Sequence, residues 1–106
     1  MTRRIIIKPK ASQDLDNHFA YIAENNFETA LKFFDSTRST IAQLARMPGI
    51  GSLYPVENPR LQGLRKWAVK NFKKYLIFYF EQNDAIEVVR ILYAAQDVSS
   101  ILDSEV

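Results

Sequence analysis

Apolar positions change period several times along this chain, and each change predicts an element. Ile5-Ile6-Ile7, followed by Lys8 and Pro9, is a short strand that Pro9 stops. A helix should follow. Ser12 is a suitable N-cap, Asp14 and Asp16 occupy the dipole-favoured first turn, and Leu15, Phe19 and Ile22 form one stripe at i, i+4 and i+7. Asn25-Asn26 breaks that helix. A second begins near Phe27, with Phe27, Ala30, Leu31, Phe34, Ile41, Leu44 and Ala45 along one face, and Pro48, Gly49 and Gly51 end it. Helices joined this tightly should form an antiparallel hairpin.

After a Gly-, Ser- and Pro-containing loop from Gly49 to about Gly63, the pattern turns to strands. Leu64–Val69 alternates, with Arg65, Trp67 and Val69 on one face and Leu64, Lys66 and Ala68 on the other. Asn71–Lys74 reads as a turn. Tyr75–Phe80 is apolar throughout, as a strand covered on both faces would be, and after a turn at Gln82-Asn83-Asp84 the last strand runs Ile86–Tyr93. Short connections make these three an antiparallel meander, which the first strand must join because alone it would be unstable. The expected class is α+β, in the order β-α-α-β-β-β, with a helical hairpin packed on a small, mainly antiparallel sheet. A short helix is expected around Val98–Leu102.

A length of 106 residues suits a single domain, 1–106, and an apolar share of 47% is enough to pack a core without staples. The chain has no cysteine, which excludes disulfides and thiolate metal sites. Three isoleucines are too short for a signal-peptide core, and Tyr75–Phe80 is far below a membrane span, so a cytoplasmic protein with no membrane partner is expected. The net charge of +2 conceals an asymmetry. Between Asn58 and Phe80 stand Arg60, Arg65, Lys66, Lys70, Lys73 and Lys74 with no acid, whereas from Glu81 onward Arg90 is the sole base among acids that include Asp97, Asp103 and Glu105. A basic window of this kind suits a polyanion or an acidic partner; the bland alternative is a solvated surface.

Several segments, in this order, resemble the ParE/RelE toxin superfamily, and ParE (the plasmid-stabilisation type) more than RelE. They are Pro9-x-Ala11 with Asp14-Leu15 and Tyr21-Ile22; Asn26, Ala30 and Phe34; Pro48-Gly49-Ile50-Gly51; Leu61–Trp67; Tyr75–Tyr79; and Arg90–Tyr93. The resemblance implies a toxin of a type II toxin–antitoxin pair, held in a hetero-oligomer with a ParD-like antitoxin. For ParE it implies DNA gyrase as target, and for RelE cleavage of messenger RNA on the ribosome. It places part of the target-binding surface at Arg90, Tyr93, Asp97 and the residues to Leu102. The antitoxin is expected over Arg65, Lys66, Trp67, Lys70, Lys73 and Lys74. Where many relatives carry histidine and then basic residues, this chain reads Tyr93-Ala94-Ala95-Gln96-Asp97, which removes positive charge and leaves an inactive, antitoxin-binding family member as an alternative.

The inventory for chemistry is thin. The lone histidine, His18, reads as a helix-boundary residue, the three glycines form no phosphate loop, and no cofactor or specific nucleic-acid partner is called for. Metal-free RNA cleavage needs a base, an acid and cations for the phosphorane. Arg65, Arg90 and Tyr93 could supply cations and a proton, but spacing assigns no base among Glu81, Glu87 and Asp97. Trp67 is either a core residue or a binding anchor beside Arg65. Arg90, in line with Ile86, Val88 and Leu92, must find a partner or reach the sheet edge. Tyr21, Tyr75 and Tyr79 read as core aromatics.

Overall fold

The computed structural model describes residues 2–104, so Glu105 of the acidic tail lies outside it. Its elements are β1 (Arg4–Ile7), α1 (Pro9–Asn25), α2 (Phe27–Arg46), β2 (Ser52–Leu53), β3 (Arg65–Val69), β4 (Phe72–Glu81), β5 (Ala85–Tyr93) and α3 (Val98–Asp103). The sheet order is β1-β5-β4-β3-β2. β1 runs parallel to β5, and the other pairings are antiparallel. This is the expected α+β plan, with one addition. The expected loop from Gly49 to Gly63 contains β2 and two 3-10 turns, Pro48–Ile50 and Pro59–Leu61.

β4 explains the two-layer core. Ile77, Phe78 and Tyr79 are all fully buried although consecutive side chains point to opposite faces. Ile77 and Tyr79 pack with Leu15, Phe33, Ile41 and Leu44 of the helical hairpin. Phe78 packs on the other face with Leu61 and Leu64 of the long connection and Leu102 of α3. The connection and α3 therefore serve as the second cover of the sheet.

Four expectations are corrected. Ser12 is not the N-cap, and Asp14 and Asp16 lie beyond the first turn, because α1 starts at Pro9. The fixed φ of proline suits the first helical position, so Pro9 begins the helix as well as ending the strand. Phe27 and Leu31 are exposed, and the buried face of α2 runs instead through Ala30, Phe33, Thr37, Thr40, Ile41, Leu44 and Ala45. Thr37 and Thr40 can be buried because their hydroxyls donate to the Phe33 and Ser36 carbonyls one turn back. The turn between β3 and β4 is Lys70-Asn71 rather than Asn71–Lys74; Asn71 takes a φ of 68°, a conformation asparagine tolerates, so Lys73 and Lys74 stand on β4. Tyr21 is no core aromatic, with 68% of its surface exposed.

Tyr79 ties the sheet to the connection. Its hydroxyl donates to Pro48 O (2.6 Å) and accepts from Gly51 N–H (3.0 Å). A Cβ on Gly51 would lie 2.3 Å from the Tyr79 hydroxyl, inside the buried ring's own space. Gly51→Ala is expected to cost about 1–3 kcal/mol as an overpacked site, measurable by urea denaturation.

Candidate functional site

A basic groove lies between the second half of α2 and the end of β3. It encloses about 700 Å³ and is lined by Ser39, Thr40, Gln43, Arg46 and Met47 on one side and by Trp67–Asn71 and Lys73 on the other. None of these residues is an acid. β2 pairs with β3 only at Arg65 and Lys66, so from Trp67 onward β3 has no strand neighbour on its outer edge among the described residues. Thr40 Oγ1 takes the Lys70 N–H at 3.1 Å, which anchors the hairpin turn to α2 and sets the groove's width. Trp67 is half-buried; it packs against the helix-side core and also lines the groove.

The six residues expected to meet the antitoxin divide. Trp67, Lys70 and Lys73 line this groove. Arg65 turns to the connection, where its guanidinium donates to Gly51 O (2.6 Å) and Gly49 O (3.4 Å). Lys66 stands over the Tyr54 ring, and Tyr54 packs with the second core cluster. Lys74 is exposed, outside the groove lining. Arg46, Met47 and Thr40 complete the groove from α2, and nothing in their own stretch of sequence pointed to them.

The end of β5 carries the second set. Arg90 is held by Asp14 of α1 through two contacts, Nε to Oδ2 at 2.7 Å and Nη2 to Oδ1 at 2.6 Å, with the side chains 15% and 10% exposed. Its expected alignment with Leu92 stands, Arg90 lying opposite Phe78 and Leu92 opposite Leu76, but that with Ile86 and Val88 fails because a bulge shifts the β4–β5 register between Phe78 and Tyr79. Ile86 and Val88 face the helices, whereas Leu92 belongs to the opposite cluster. Tyr93 is half-buried, its ring centroid 4.9 Å from that of Tyr75. Asp97 caps α3, with Oδ1 accepting from Ser100 N–H and Oδ2 from the Ser100 hydroxyl.

Burial pushes the Tyr75 phenol above its ordinary 10.0, and the neighbouring Tyr93 and Tyr21 phenols add to the shift. Burial also raises Tyr79, against the Gly51 hydrogen bond and Arg65, which lower it. With folded-state values raised, folding favours the neutral phenols. The stability they contribute is complete below about pH 10 and is lost as pH rises through the folded values. Thermal melting should therefore hold steady to about pH 10 and fall above it, with Tyr75→Phe reducing the fall.

The family model described as "ParE toxin of type II toxin-antitoxin system, parDE" matches residues 5–98. The chain belongs to the ParE toxin family. A chain of the solved chromosomal ParDE TA system from P. aeruginosa superposes with a TM-score of 0.68 at 22% identity, covering 87% of this chain and 96% of its own length. That likeness is one of fold. No curated protein matches the chain.

Of the alternative nuclease residues, Arg65 begins β3, whereas Arg90 and Tyr93 stand near the end of β5. Arg65 pairs with Tyr79 and Tyr93 with Tyr75, so they stand four residues apart along β4 and on opposite sides of it. Four residues of strand span roughly 13 Å, and the Arg65 guanidinium is turned to the Gly49 and Gly51 carbonyls. Arg90 is already committed to Asp14. Among the described residues, no three His, Cys, Asp or Glu side chains are grouped to hold a metal ion, and no helix is long and apolar enough to cross a membrane.

Proposed function

We propose that this ParE-family protein is a growth-arresting toxin that binds and inhibits DNA gyrase in the cytoplasm, and that a ParD-like antitoxin neutralises it in a hetero-oligomer. The family match over residues 5–98 carries the toxin reading. Binding inhibition needs a stable surface that holds the target in one state and requires no tuned acid or base. The proposed contact surface is the end of β5 and the start of α3, with Tyr93 and Asp97 at its rim and Arg90 bracing it from beneath. The antitoxin's proposed seat is the acid-free α2–β3 groove. A partner segment rich in acids, with an apolar side chain for the space between Trp67 and Met47, matches that lining in charge and shape.

Induction of the chain without its antitoxin tests the reading in cells. The expected result is growth arrest with filamentation and DNA breaks while translation continues, relieved by co-expression of the neighbouring antitoxin reading frame. Truncated messages and arrested translation before any DNA damage would instead support the nuclease reading.

A further inference from the structure

We propose that Asp14 and His18 of α1 act as a surrogate strand for the far half of β5, and that His18 is thereby a positioning residue for Tyr93. β1 accompanies β5 only from Arg4 opposite Ala85 to Ile7 opposite Val88. Lys8 N–H still donates to Val88 O at 2.9 Å, and then Pro9 turns the chain into α1. Beyond Val88 no strand among the described residues accompanies the outer edge of β5. Buried backbone groups left in that state are costly, so something must take them up.

Two side chains do so at Ile91, a fully buried residue. Its N–H donates to Asp14 Oδ2 at 2.9 Å, and its carbonyl lies 2.8 Å from His18 Nε2. A carbonyl only accepts, so His18 carries a proton on Nε2 and donates it. The i, i+4 spacing places both residues on one face of α1, one turn apart. Asp14 accepts as a strand carbonyl would, and His18 donates as a strand N–H would. The pair continues the edge pairing where the backbone of β1 has left it.

His18 reaches Tyr93 by two routes. One is the main chain, since Tyr93 is two residues beyond Ile91 on the same strand. The other is a chain of rings. The His18 ring meets Tyr75 edge-on at 5.0 Å and Phe33 at 6.2 Å, and Tyr75 lies 4.9 Å from Tyr93. Removing the imidazole should therefore loosen the strand end and tilt the phenol it presents. The functional half of this inference rests on the end of β5 being the gyrase-binding surface; the structural half does not.

The test combines amide hydrogen exchange with gyrase inhibition and antitoxin affinity in His18 variants. His18→Leu keeps bulk and removes the donor. Exchange at Ile91 and Tyr93 should be about tenfold faster, with the Ile5–Ile7 and Ile86–Val88 amides unchanged. Half-inhibition of gyrase should need about tenfold more protein, while antitoxin affinity stays within about twofold, because the groove lies elsewhere. His18→Gln, whose amide can still donate toward Ile91, should restore both exchange and inhibition; His18→Asn, too short to reach, should behave like His18→Leu and serves if that variant does not fold. Unchanged exchange in the Leu and Asn variants, or no recovery with Gln, would overturn the surrogate strand. Faster exchange with unaltered inhibition would overturn the positioning role. A wild-type chain that leaves gyrase untouched would defeat the target reading alone, since exchange decides the surrogate strand independently.

Discussion

Asp14→Ala should lower the stability of the fold by about 3–5 kcal/mol, the loss typical when one member of a buried ion pair is removed. The reason is the number of groups that depend on one carboxylate. It holds the Arg90 guanidinium in a two-point contact and also accepts the Ile91 N–H. Without it a guanidinium with 15% side-chain exposure and a buried N–H both lose a partner. Asp14→Asn, which keeps an acceptor without the charge, should cost less than alanine. Replacing both partners by apolar residues, Asp14→Leu with Arg90→Met, should also cost less than Asp14→Ala, because neither charge of the pair then has to be desolvated in the interior. Urea denaturation of the four proteins measures this. An Asp14→Ala loss under about 1 kcal/mol would place the pair among the weak surface ion pairs and contradict its role in bracing β5.

That ion pair also shows where reading from sequence reaches its limit. The need for an Arg90 partner follows from its apolar neighbours on a strand. The partner's identity does not, because Asp14 had a local explanation as a first-turn helix acid. That explanation depended on Ser12 as the cap, and it lapses once Pro9 takes the first helical position. The orientation of Arg90 was out of reach for a different reason. Strict alternation cannot foresee the bulge that shifts the β4–β5 register, and one inserted residue reverses which face each later side chain occupies.

Other elements were legible because their signals are local and strong. Asn25-Asn26 separates α1 from α2 as expected, and Asn26 also caps α2, accepting the Thr29 N–H at 2.9 Å. The unbroken apolar run of β4 correctly implied cover on both faces. On α2 the pattern correctly placed Ala30, Ile41, Leu44 and Ala45 on the buried face but added the exposed Phe27 and Leu31 and missed Phe33; Thr37 and Thr40 escaped it because they count as polar yet satisfy their hydroxyls on their own helix. The groove was half legible. Its β-side cations are a visible cluster, but Thr40, Arg46 and Met47 come from a distant helix and join them only through tertiary packing.

Charge reversal in that groove should have the largest effect on the partner. Lys70→Glu with Lys73→Glu replaces two of three lining cations and leaves Arg46 alone. Association with the antitoxin should slow by about 10- to 100-fold at low salt, and the salt dependence of the on-rate should flatten, because electrostatic steering acts mainly on encounter. Trp67→Ala should act differently. It removes an aromatic anchor and should speed dissociation, weakening affinity by about 2 kcal/mol or more if the tryptophan is a hot spot. Lys66→Glu, on a side chain that stands over Tyr54 instead of in the groove, is the control and should change the on-rate little. Surface plasmon resonance over a salt series separates these effects. Equal slowing by Lys66→Glu and by the groove pair would mean that the partner reads the whole basic window rather than the groove.

The most direct test of the account is a supercoiling assay with purified gyrase, using a preparation of the protein shown to arrest growth when expressed alone. Increasing amounts should progressively abolish supercoiling and accumulate cleaved DNA, and an equimolar amount of the antitoxin, added first, should restore full activity. Unimpaired supercoiling at saturating protein from that growth-arresting preparation would contradict the account.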